Sequence, residues 1–153
     1  MIIIYTDGSS RGNPGPGGYG TVLKYKEHRK ELSEGFRKTT NNRMELLAVI
    51  MGLEAINVAN APVTVYSDSK YVIDSVEKGW LWGWIKKGFK GKKNKDLWLR
   101  FAEVYKKHRV TFQWVKGHAG IPENERCDEL AVEAALGNDL KADTEFENGI
   151  NDF

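Results

Sequence analysis

The sequence predicts one α/β domain built on a five-stranded mixed sheet, antiparallel in its first half and parallel in its second. Three observations carry this. Before residue 40 the chain alternates β-branched runs with short polar links, the pattern of an antiparallel meander. After Asn41 the apolar period changes from two to 3.6, and helical segments alternate with short apolar strands, which implies parallel crossover pairing. No internal repeat and no linker divides the 153 residues, a length that suits a single core.

Ile2 to Thr6 is β-branched and aromatic and runs into Asp7-Gly8, so it reads as a buried strand ending at a turn. Gly12 to Gly18 is too rich in Gly and Pro for regular structure. Tyr19 to Tyr25 and Arg29 to Phe36 read as two further strands. Asn41 to Val58 is helical, Val63 to Ser67 is a short strand, and Ser69 to Glu77 is helical again. Residues 80–98 form a tract of Trp and Lys. A helix follows from about Asp96 to Lys107, then a strand from Val110 to Val115 and a last helix from about Glu123 to Leu136. The domain is therefore expected to occupy residues 1–137, with an acidic tail over 138–153 that is frayed or loosely docked.

Apolar residues make up 41% of the chain and charged residues 29%, the balance of a globular protein rather than a disordered one. Ile2-Ile3-Ile4 has no basic residues before it and no small-residue cleavage site after it, so it is not expected to be a signal peptide. No run approaches the ~20 apolar residues of a membrane span. Cys127 is the single cysteine, so no intramolecular disulfide can form and the cytoplasm is the expected compartment. The net charge of +2 is unevenly spread: residues 138–153 carry −4, leaving +6 on residues 1–137. A basic body favours a polyanionic partner.

Four acids fall where a core is expected. On a helical wheel Glu45 aligns with Ala48, Val49, Gly52 and Ile56, opposite Arg43, Glu54 and Asn57. Asp128 aligns with Ala131, Val132 and Ala135, opposite Arg126, Glu129 and Glu133. Asp7 and Asp68 each close a buried strand, and if those strands are parallel neighbours both side chains emerge at one edge, where sites form in such sheets. An acid at a strand end can simply cap a helix, which suits Asp68 better than Asp7. No Lys or Arg lies close enough in sequence to each acid to neutralise all four. Clustered carboxylates repel, and hard divalent cations remove that penalty. Oxygen-only ligands point to Mg²⁺ or Mn²⁺ rather than zinc.

Thr6-Asp7-Gly8-Ser9 with Gly12-Asn13-Pro14-Gly15, Asn41-Asn42-Arg43-Met44-Glu45, Ser67-Asp68-Ser69, Gly117-His118 and Arg126-Cys127-Asp128 closely resemble bacterial type-1 ribonuclease H, in the family's order over residues 1 to about 136. The resemblance implies a ribonuclease H-like fold and hydrolysis of the RNA strand of RNA–DNA hybrids, leaving 5′-phosphate and 3′-hydroxyl ends. It implies that Asp7, Glu45, Asp68 and Asp128 hold two Mg²⁺ ions, with Mn²⁺ able to substitute, and that His118 serves proton transfer or product release.

Hybrid recognition must read the 2′-hydroxyl across a wide, shallow minor groove. By resemblance, Ser10, Asn13, Asn42 and Lys70 are placed for this, and Thr40 and Asn41 for a DNA phosphate, although Asn13 could merely serve a turn and Asn41 a helix cap. Lys70 stands where the familiar bacterial pattern has Gln, and a lysine could grip a phosphate instead. Lys86, Lys87, Lys90, Lys92, Lys93 and Lys95, bracketed by Trp80, Trp82, Trp84, Phe89 and Trp98, make a poor core and a good backbone-binding protrusion. They resemble the family's basic handle, here about 80–98, in which Trp80 and Trp84 are expected to meet nucleic acid beside the lysines while some of the tryptophans pack its base. The expected partner is the hybrid duplex, bound by a free-standing monomer. The rival readings are a module that binds hybrid or double-stranded RNA without cutting, which would need a broken acidic set, and a DNA nuclease of the same fold, which would not need the Asn-rich segments and the handle.

Overall fold

The computed structural model describes residues 1–117 and 120–149. The strands are β1 (Ile2–Ser10), β2 (Gly15–Tyr25), β3 (His28–Thr39), β4 (Pro62–Ser67) and β5 (Arg109–Trp114). The helices are α1 (Asn41–Glu54), α2 (Lys70–Glu77), α3 (Trp80–Lys86), α4 (Lys95–Tyr105), α5 (Pro122–Leu136) and the short α6 (Thr144–Glu147). One five-stranded sheet has the order β3-β2-β1-β4-β5; β1 to β3 form the antiparallel meander, and β4 pairs in parallel with both β1 and β5. The expected mixed sheet is thus observed. No helix among the described residues is long and apolar enough to cross a membrane.

The Gly-Pro segment departs from expectation: Gly15 to Gly18 belong to β2, because pairing with β1 on one side and β3 on the other supplies the hydrogen bonds the composition does not promise. Helix α1 stops at Glu54 rather than Val58.

The core lies between the sheet and the layer formed by α1 and α4, and includes Ile4, Leu46, Val49, Ile50, Val65, Trp98 and Phe101. Helix α5 packs across β1, β2 and β3, where Cys127, Leu130 and Val22 form a smaller cluster. Two glycines set how closely these layers approach. A Cβ on Gly8 would stand 2.3 Å from the carbonyl carbon of Met44, and one on Gly20 would stand 2.2 Å from the carbonyl oxygen of Cys127. Bare backbone at these points lets the first turn of α1 press onto β1, and α5 onto β2, just where both helices carry an acid.

Two expectations about helix faces are corrected. Arg43, placed by the wheel on a solvated face, is 1% exposed. Its guanidinium donates bidentately to Asp143 (2.7 and 2.8 Å) and to Asp96 (2.8 and 2.7 Å). The outer face of α1 is covered there by the start of α4 and by the returning tail, neither of which a local wheel contains. Val132 is 40% exposed, and the buried face of α5 is Cys127, Leu130, Ala131 and Ala135, which leaves Asp128 at the rim of that face.

The tail over 138–149 is docked rather than frayed. Lys141 pairs with Phe36 alongside β3, Arg37 binds Glu147 bidentately, and Asp143 accepts from Thr39 Oγ1 at 2.6 Å as well as from Arg43. This strap joins the end of β3 to the first turn of α1, and Arg43 carries the link on to Asp96 at the start of α4.

Candidate active site

The β1–β4 ladder ends at Tyr5↔Tyr66, and Asp7 and Asp68 lie just beyond its last rung, at the end of the sheet where the two strands part. Glu45 enters from α1 over Gly8. Ligand oxygens of Asp7, Glu45 and Asp68 all lie within 4.8 Å of one another, with Glu45 the most enclosed. Neither neighbouring helix takes up these acids as caps. Thr40 Oγ1 caps α1 by accepting from Arg43 N, and Ser69 Oγ caps α2 by accepting from Val72 N. The cap readings of Asn41 and Asp68 are therefore replaced.

Burial and the charges of Asp7 and Asp68 hold the Glu45 carboxyl well above its ordinary range. Burial, then the Asp68 charge, push Asp7 up to about 7, although Gly8 N donates to its Oδ1 at 2.9 Å. Asp68 Oδ1 is buried with no hydrogen-bond partner among the described residues. Orphaned buried oxygen and repelling carboxylates are both relieved by a hard cation, so the donor set fits a divalent metal with oxygen ligands.

Asp128 is outside this trio. It lines the same cleft as Asp7 and Asp68, together with Lys116, Gly117 and Asn124, and its charge adds to the upward push on Asp7. Its place at the rim of α5 accounts for the separation. Asn124 was missed in the sequence. Its Oδ1 is a second buried oxygen without a partner among the described residues, and it lines the cleft one turn before Asp128. The spacing of four that puts it on the face of Asp128 was the available signal. His118 lies outside the described residues.

Beside the acids, Ser10, Asn13 and Asn41 form one hydrogen-bonded group. Ser10 N donates to Asn41 Oδ1 at 2.6 Å, Asn41 N donates to Asn13 Oδ1 at 3.0 Å, and Ser10 Oγ donates to Gly12 O at 2.6 Å. Thr40 and the exposed Asn42 flank it in the chain. Lys70 opens α2 two residues after Asp68, with its ammonium 4.2 Å from the centre of the Trp114 ring.

The tract over 80–98 is an exposed protrusion on an aromatic base. Lys86, Lys87, Lys90, Lys92, Lys93 and Lys95 are all exposed, whereas Trp98 and Phe89 are buried. Trp84 packs against both of them and lies under the Lys92 ammonium. Trp80 is 48% exposed beneath Lys78, so of the two tryptophans expected to meet nucleic acid, Trp80 is open and Trp84 is partly used by the base.

A family model for RNase H matches residues 1–136. A ribonuclease H of Syntrophus aciditrophicus is 57% identical over 148 residues, spanning 94% of this chain and 85% of its own length. One of Rippkaea orientalis is 53% identical over 152 residues, spanning 96% and 93%. Among solved structures, LC9-RNase H1, a type 1 RNase H with the type 2 active-site motif, aligns with a TM-score of 0.77 at 32% identity, over 88% of this chain and 71% of its own. LC11-RNase H1 in complex with an RNA/DNA hybrid aligns at 0.66 and 29% identity, over 88% and 96%. The sheet order, the acids gathered at its end and these matches over nearly the whole chain agree: the chain belongs to the ribonuclease H family.

Proposed function

We propose that this chain is an endonuclease that hydrolyses the RNA strand of RNA–DNA hybrids, leaving 5′-phosphate and 3′-hydroxyl ends, with two Mg²⁺ ions held by Asp7, Glu45, Asp68 and Asp128. The observation that carries it is the convergence of Asp7, Glu45 and Asp68 within 4.8 Å around a buried Asp68 oxygen that has no hydrogen-bond partner among the described residues, in a chain of this family. When bound, such ions make a bound water nucleophilic near neutral pH and stabilise the departing oxygen of an in-line displacement. The carboxylates supply the negative charge that holds them. The raised Asp7 and Glu45 carboxyls must give up their protons for that role, so loading is favoured as pH rises through neutrality.

Ser10, Asn13 and Asn42 present short polar groups to the minor groove, Thr40 and Asn41 hold a phosphate of the DNA strand, and the exposed lysines of 86–95 neutralise backbone phosphates farther along. His118 takes part in proton transfer or product release. The chain acts as a monomer in the cytoplasm, a reading supported by its one cysteine, buried against β1 with Cys127 Sγ donating to Tyr5 O.

Labelled hybrid, RNA duplex and DNA duplex, each with Mg²⁺ or with EDTA, test this. Cleavage of only the RNA in the hybrid, abolished by EDTA, is the expected result. Cleavage in EDTA, or equal cleavage of a homoduplex, overturns it.

A further inference from the structure

Lys70 occupies the first position of α2, where the positive end of the helix dipole disfavours a cation. Its ammonium is instead drawn over the Trp114 ring at 4.2 Å, shorter than the 5.3 Å of Lys78 to Trp80 and the 5.5 Å of Lys92 to Trp84. Among its described contacts Lys70 has no carboxylate partner. Trp114 is 42% exposed, so its ring is open to the surface beside the acids. It is fixed all the same: its Nε1–H donates to the carbonyl oxygen of Asp68 at 3.3 Å, and its backbone sits opposite Ser67 in the β4–β5 ladder. The Trp114–Lys70 unit is thus attached to the strand end that carries Asp68.

We propose that Lys70 binds a backbone phosphate of the cut strand beside the acidic cluster, with Trp114 as the positioning residue that holds the ammonium there. An ammonium has three donors and no acceptor, so it cannot make the paired donor and acceptor contact that an amide can offer a base edge. It recognises a phosphate as a point charge. The ring face under Lys70 is occupied and does not serve as a stacking platform for a base. The contact adds affinity that is blind to sequence and sensitive to salt. It rests on hybrid cleavage being the activity.

The test measures kcat and KM on hybrids of several sequences, across a salt series, for the wild type, Lys70→Gln, Trp114→Phe, Trp114→Leu and the Lys70→Gln/Trp114→Leu double variant. For Lys70→Gln the slope of log KM against log salt should fall by about 0.9, so that its KM rises about 3.5-fold less than wild type between about 50 and 200 mM salt. The change should fall mainly on KM and be alike for all sequences. Trp114→Leu should reproduce most of it, Trp114→Phe should retain most of the wild-type slope, and the double variant should be no worse than Lys70→Gln. An unchanged slope with a new sequence preference in Lys70→Gln would overturn the phosphate contact. Additive effects in the double variant would overturn the positioning role. Wild type that fails to cut hybrid would refute the activity itself, a distinct outcome from wild-type cleavage with an unaltered slope in Lys70→Gln.

Discussion

Replacing Asp7 with Asn in the metal-free protein separates a cluster built for cations from one built for stability. Asparagine keeps the shape and keeps an Oδ1 to accept from Gly8 N, as Asp7 does at 2.9 Å. What it removes is one charge among three crowded acids. Burial and the Asp68 charge move the Asp7 carboxyl from 3.8 up to about 7. An acid whose folded value is raised above its unfolded one makes the fold bind protons more tightly than the unfolded chain. Stability is therefore lost as pH climbs from about 4 to about 7 and stays low above that. At about 1.4 kcal/mol per pKa unit the full penalty at pH 8 is at most ~4 kcal/mol. Part of the repulsion is already relieved when Glu45 carries a proton, so one substitution should recover ~1–2 kcal/mol. For a chain of this length that corresponds to a rise in Tm of roughly 3–8 °C. Melting curves in EDTA at pH 5 and pH 8 read it directly: wild type should lose stability between the two and Asp7→Asn much less. Adding Mg²⁺ should raise the wild-type Tm and barely move the variant, because only the wild type binds the ion well. Hybrid cleavage should fall by orders of magnitude. A variant that melts lower than wild type in EDTA, with the same pH dependence, would refute the view that these acids repel.

Changing Lys90, Lys92 and Lys93 to Ala should weaken hybrid binding at low salt and lower its salt slope by about 1 for each phosphate that is no longer neutralised, read by titrating binding over a salt series. Replacing Asp143 with Ala leaves the buried Arg43 with one of its two carboxylates, which should cost ~3 kcal/mol in denaturant melts and loosen the first turn of α1, seen as a raised KM for hybrid in the surviving fold. Gly8→Ala inserts a methyl 2.3 Å from the Met44 backbone, so β1 and α1 must separate. A loss of ~2–3 kcal/mol in melts should accompany a sharp fall in cleavage as Glu45 moves away from Asp7.

Much of the site was legible because its signals are local. Asp7 and Asp68 end short apolar runs, Glu45 breaks an apolar helical face, and six lysines crowd ten residues, all properties the chain carries whatever folds against it. The five-strand count and its antiparallel and parallel halves followed from the change of apolar period for the same reason. Other features depend on which segments return to cover a surface, and no local pattern contains that. Arg43 reads as solvated on a wheel and is buried, because Asp143, a hundred residues later, folds back onto it. The Gly-Pro segment reads as a loop and is a strand, because two neighbours complete its hydrogen bonds. Asp128 reads as inward but stands at a rim, set by where α5 lands on Gly20. Asn124 and Trp114 joined the site only when β5 and α5 came to rest beside Asp68. Composition and periodicity marked most of the residues that leave water, but they placed Arg43 in solvent and Val132 in the core, the reverse of what is observed. Long-range packing decided what each meets there, because that depends on segments far apart in the chain, and for a buried charge or an exposed ring the neighbour determines the role.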